Sequence, residues 1–203
     1  MNNYDQSLAD LDKQASTLDQ RQQVLLFVVL ASGLLRLYQE FQRTTGWGNY
    51  STLEMCIDAA EKFALRAENT NWQFLLDAIE AATPHGDDFD APKSTYAQDA
   101  AICADTAVRL AMNHHNASIN AIEYALEPLK NVISMSDLDC IDPGTGVAAT
   151  DFYNELPFRP QMKQAIEFLH ELISQLVFLD TFDTPALQQL KQRAAVLLPH
   201  ELD

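Results

Sequence analysis

The chain has 203 residues, 47% of them apolar and 21% charged, with 13 Lys and Arg against 29 Asp and Glu and a formal net charge of −16. That length builds one domain with a sizeable core, and the composition excludes wholesale disorder. Six glycines argue against a barrel or sandwich of short strands, and three scattered cysteines (Cys56, Cys103, Cys140) form neither a zinc ribbon nor a disulfide framework, so a reducing cytosol is expected.

Helical periodicity runs through almost the whole chain. Residues 5–16 predict a short polar helix held by Leu8 and Leu11. Thr17 is placed to cap a long helix over about residues 18–43, whose apolar positions surround it in the first half and narrow to a stripe in the second. An all-round apolar helix belongs at the centre of a bundle. Its most apolar run, Val24–Leu35, is 12 residues long, short of the roughly 20 that a membrane span needs. Gly46 suits a left-handed C-terminal cap, and Ser51 with Glu54 reads as a capping box for a helix to about Arg66. Asn69 or Asn71 caps the next, Trp72–Ala82, with Phe74, Leu75, Ala78 and Ile79 expected inward.

Residues 83–94, with two prolines, a glycine and three aspartates, break the pattern. Ser94 or Thr95 then opens an Ala-rich helix to about His114, with Ala97, Ala100, Ala101, Ala104, Ala107, Val108 and Ala111 on one side and an Asp105–Arg109 pair on the other. A helix from Asn116 or Ser118 to about Met135 carries Pro128, which should kink or end it. Residues 136–150 read as loop. Helices follow from between Asp151 and Pro160 to about Leu179, and from Thr184-Pro185 to about Leu198. No stretch alternates with a strand's period of two. The expected fold is all-α: a single domain, residues 1–203, of seven or eight helices around the central apolar helix at about 18–43.

The charge is uneven. Residues 67–158 carry 3 basic and 15 acidic side chains, a net −12, while the flanking segments are each −2. A field of that sign repels nucleic-acid phosphates and anionic lipid heads, so neither nucleic acid nor membrane is an expected partner. It favours a basic protein partner, a cation or simple solubility. Met1-Asn2-Asn3-Tyr4-Asp5 has no basic leader character, so a cytoplasmic location is expected.

Chemistry concentrates in Thr83-Pro84-His85-Gly86-Asp87-Asp88-Phe89-Asp90, followed by Asp99 in the next helix. Asp88 and Asp90, with Asp99 or His85, are the candidate ligands for a hard cation such as magnesium or calcium. The same aspartates equally serve turns and caps, since carboxylates accept backbone N–H bonds. The run Asp137–Gly144 lacks a calcium loop's ligand spacing. The five histidines form no H-D and no H-E-x-x-H, and there is one E-x-x-H (Glu167, His170) where a di-iron bundle needs two. There is no nucleophile elbow and no phosphate loop; Gly144-Thr145-Gly146 with Ala149 follows no strand, so it is not a dinucleotide site. Cofactors therefore remain unassigned.

Two stretches carry a family resemblance: Phe41-Gln42-Arg43-Thr44-Thr45-Gly46-Trp47-Gly48, and Leu76–Pro84 leading through Asp87-Asp88-Phe89-Asp90 to Ala97-Gln98-Asp99-Ala100. Together they resemble the YjaG-like family of uncharacterised bacterial cytosolic proteins, over about residues 18–130 and more loosely to the end. The resemblance implies an all-helical single domain and supplies no reaction. The positions that match are Gly46, Gly48, Asp87, Asp88, Phe89, Asp90, Asp99 and Ala100, whose role it leaves unassigned; the loop 136–150 departs from it.

Two functions stay open. One is a non-enzymatic interaction protein whose acidic segment, through Asp87, Asp88 and Asp90, docks a basic partner, or which forms a homodimer. The other is a metal-dependent hydrolase using Asp88, Asp90 and Asp99.

Overall fold

The computed structural model describes residues 1–85, 88–89, 93–112, 121–138, 149–178 and 184–197. Among them are α1 (Asn3–Ala15), α2 (Gln20–Thr45), α3 (Tyr50–Arg66), α4 (Trp72–Ala82), α5 (Lys93–Ala111), α6 (Ala121–Leu138), α7 (Ala149–Glu155), α8 (Pro160–Leu176) and α9 (Thr184–Leu197), and no strand. The fold is all-α, as the periodicity implies. The helix count exceeds eight because the segment after residue 149 divides: Leu156–Phe158 tightens into a 3₁₀ turn at Pro157, and Pro160 opens α8 at its first position. Pro128, expected to kink or end its helix, lies inside α6.

α2 is the axis. From Val24 to Ala31 every residue is buried, and the second half keeps a stripe of Leu34, Leu37, Tyr38 and Phe41. It packs most extensively on α5, then on α3 and α9. α5 answers with small side chains: Ala97, Ala100, Ala101, Ala104 and Ala107 are all buried, so the two backbones approach closely. α2 is long and apolar enough to cross a membrane by composition, yet 72% of its apolar window is buried inside this protein, as befits a core helix. The buried residues of the helices join in one core cluster.

The entry to α2 holds the bundle's ends together. Asp19, not Thr17, is the cap: its carboxylate accepts from Gln22 N–H at 2.9 Å, and Gln22 Oε1 accepts from Asp19 N–H at 2.8 Å. The next four side chains each reach the C-terminus of a different helix. Gln20 donates to Leu110 O at the end of α5, and Arg21 to Ala64 O (2.5 Å) and Leu65 O (3.0 Å) at the end of α3. Gln22 donates to Val177 O after α8, and Gln23 to Ala15 O of α1. Terminal carbonyls that have no partner within their own helices are thereby satisfied. α3 itself is capped by Asn49, which accepts from Thr52 N–H, rather than by Ser51. It ends at Ala67, an alanine in the left-handed region at φ 55°.

Candidate functional site

The two sequence stretches that carry the resemblance meet in space. Phe89 packs edge-on against Phe41, ring centres 5.1 Å apart, and lies 5.2 Å from Trp47, which itself meets Phe41 at 6.0 Å. The loop after α4 is thus seated on the end of α2 by one aromatic side chain, and Asp88 beside it is exposed. The turn below is built around Tyr38. Its hydroxyl donates to Ala82 O at the end of α4 and accepts from Asn49 N–H at 3.0 Å. Gly48 adopts φ +96°, and a Cβ there would stand 2.7 Å from Tyr38 Oη, so glycine is required twice over. Gly46, at φ +71°, ends α2 as expected, with open space around it. Lys93, at the start of α5, reaches back to Glu40 at 3.8 Å, and Glu40 also holds Arg43 at 2.7 Å. These pairs are exposed and contribute little to stability.

Of the sequence-predicted aspartate ligands, Asp88 and Asp99 lie among the described residues. Asp88 stays on the surface, whereas Asp99 is 3% exposed inside the bundle. Asp87 and Asp90 lie outside the described residues. Among those described, no group of three His, Cys, Asp or Glu is placed to hold a metal ion.

Asp99 belongs instead to a buried polar junction that its residue type alone does not reveal. Across from it, α6 presents Glu127 and Lys130, paired at 2.5 Å. Burial, reinforced by the Glu127 charge and opposed by Lys130, pushes the Asp99 carboxyl up to about 8, so it is neutral at pH 7. Burial also raises Tyr96, with Asp99 and Glu127 adding to it. α1 supplies Tyr4, raised by burial and then by Glu127 and Glu123, and Asp12, raised by burial and Glu123. Lys130 Nζ lies 6.0 Å from the Tyr4 ring centre and 5.8 Å from that of Tyr153 on α7. Tyr4 Oη, Tyr96 Oη and Asp99 Oδ2 are buried without a hydrogen-bond partner among the described residues. A neutral acid, an ion pair and three phenols therefore share one largely desolvated junction between α1, α5, α6 and α7. One turn on, Cys103 is fully buried, its thiol raised by burial and by Asp99; burial pushes Cys56 up to about 12. Both are inert thiols, as their apolar helical settings imply.

The remaining features behave as solvated helix faces. Arg109 pairs with Asp105 at 2.5 Å. Glu167 meets Lys163 at 3.8 Å, and His170 Nδ1 meets Gln14 Oε1 at 3.0 Å, so Glu167 and His170 serve separate surface contacts. Phe74, expected inward, is 57% exposed on α4.

A family of proteins of unknown function accounts for most of the chain. The chain belongs to it: residues 10–196 match DUF416, described as a protein of unknown function. The crystal structure of a DUF416 family protein from Shewanella baltica OS155 is similar in fold, with a TM-score of 0.72 at 19% identity over 90% of this chain and 92% of that one. No protein of curated function matches the chain.

Proposed function

We propose that the chain works by protein–protein interaction rather than catalysis, its acidic middle segment docking a basic partner. The observation that carries this is the fate of the segment's three cations. Lys93, Arg109 and Lys130 are each engaged by a carboxylate of the same chain, Glu40, Asp105 and Glu127. Exposed Asp77 and Glu80 on α4, and Asp88 on the loop that follows, have no ion-pair partner among the described residues. Asp77 stands one turn from exposed Phe74, and Glu80 one turn further along α4, a combination of charge and aromatic anchor that attracts a cationic surface. Nothing among the described residues favours the metal-dependent hydrolase built on Asp88, Asp90 and Asp99. Within its family we take the chain for a YjaG-like bacterial cytosolic protein, on the F-Q-R-T-T-G-W-G and D-D-F-D elements.

The test is affinity purification from the protein's own cell extract at low and high salt, comparing the natural chain with Asp87→Asn/Asp88→Asn/Asp90→Asn and Asp77→Asn/Glu80→Gln variants. A salt-sensitive basic partner should be retained by the natural chain and weakened in the variants. Retention that neither salt nor the variants change refutes charge docking. Recovery of a second copy of the chain alone turns the reading toward a homodimer.

A further inference from the structure

The first half of α1 sits on the buried junction by very few attachments. Of Asn3–Asp10, Tyr4 alone is buried, with Leu8 partly so. One further clasp joins it to α7: Asn3 N–H donates to Asn154 Oδ1 at 3.2 Å, and Asn3 Nδ2 donates to Asn154 O at 2.9 Å. Beneath lie the Lys130–Glu127 pair and the tyrosine rings that cover it. Tyr4 Oη is buried without a hydrogen-bond partner among the described residues, which weakens the closed arrangement because a desolvated hydroxyl has given up its bonds to water. The second half of α1 is fixed differently: Leu11 and Ala15 are fully buried, Gln23 holds Ala15 O, and His170 meets Gln14. The region that matches the family begins at residue 10, so all but the last residue of the weakly attached half lies outside it.

We propose that residues 3–10 form a strap that lifts from α6 and α7 without unfolding of the bundle, hinged at the anchored second half of α1, and so uncovers Lys130 and Glu127. Segments with few buried apolar contacts open at free energies well below that of the whole fold. Opening frees the Tyr4 hydroxyl to meet water and presents a lysine flanked by a carboxylate and a phenol, with Asp99 in electrostatic range of the same pair. The groups that meet Lys130 are Glu127 on its own helix, Tyr4 from α1, Tyr153 from α7 and, electrostatically, Asp99 from α5; Glu127 in turn couples to Tyr96, and Glu123 to Tyr4 and Asp12. This inference is independent of the partner-docking reading.

A comparator is built into the chain. Lys191 has the same side-chain exposure as Lys130, 13%, and is likewise paired with a glutamate, Glu61, but it joins α9 to α3 away from α1. Acetylation of the full-length protein with N-hydroxysuccinimidyl acetate, followed by peptide mass spectrometry, gives the rate at each lysine. The strap predicts that Lys130 is modified about tenfold faster than Lys191 or more. Asn154→Ala should raise the Lys130 rate several-fold and leave Lys191 unchanged. Equal rates at the two lysines in the natural chain mean that residues 3–10 give Lys130 no opening of its own, and overturn the proposal. So does hydrogen exchange over residues 3–10 as slow as that of α2.

Discussion

Asp99→Asn tests the buried junction most sharply, because it removes a titration while keeping the shape of the neutral acid. The folded carboxyl sits at about 8 and the unfolded one at about 3.8. With the folded value above the unfolded one, the folded state binds the extra proton between them. The stability contributed by neutral Asp99 is therefore complete below about pH 4 and is lost progressively as pH rises toward 8. Within that window the natural chain loses stability by roughly a factor of ten in its folding constant per pH unit, so between pH 5 and pH 7 it should lose about 2–3 kcal/mol that Asp99→Asn does not. Other carboxylates titrate in both proteins, so the difference between the two isolates Asp99. Urea unfolding followed by circular dichroism at pH 5, 6, 7 and 8 measures it. The stability gap should move in favour of the variant with each step and level off above pH 8. Parallel profiles, with a gap that shifts by less than about 0.5 kcal/mol, would show that Asp99 ionises in the folded state as in water and would refute the desolvated junction.

Arg21→Ala strips two carbonyls of α3 of a charged donor and should cost about 2–3 kcal/mol by urea unfolding; a loss under about 0.5 kcal/mol would discount that cap. Ala67→Gly relieves an alanine at φ 55° and should stabilise by about 1 kcal/mol in the same assay. Gly48→Ala should destabilise clearly more than Gly46→Ala, since both sit at positive φ but only the first drives a Cβ onto Tyr38; equal thermal shifts would contradict that geometry. Cys56 and Cys103, buried and raised, should resist a neutral-pH thiol reagent until urea unfolds the chain.

The bundle was legible because it rests on periodicity and punctuation. The all-round apolar Val24–Ala31, the alanine stripe of α5, Gly46 and Asn71 as helix ends, and the Asp105–Arg109 pair are local patterns, and each stands where the spacing puts it. Local signals also misled where two residues competed for one role. Thr17 and Ser51 are good capping residues, but Asp19 and Asn49 hold the geometry, because the cap must sit next to the first turn that packing allows. Phe74 reads as core from its residue type, yet the adjacent Leu75 and Leu76, with Ile79, fill the inward face of α4. The site was legible only as a list of acids. What buries Asp99 is that α5 is enclosed by α2, α3, α4 and α6, and that Glu127 and Lys130, some thirty residues on, arrive opposite it. Gln20–Gln23 likewise reads as a polar helix start, since the carbonyls it serves belong to the ends of four different helices, three of them more than forty residues away.

Native mass spectrometry of the untagged protein, isolated from its own cell extract at low salt, tests the central claim of charge docking. Charge docking predicts a mass for the chain plus a basic polypeptide, with a complex that dissociates as ionic strength rises and is diminished by Asp87→Asn/Asp88→Asn/Asp90→Asn. A bare chain at low salt would contradict it, and so would a divalent-ion adduct that disappears in Asp88→Asn or Asp99→Asn.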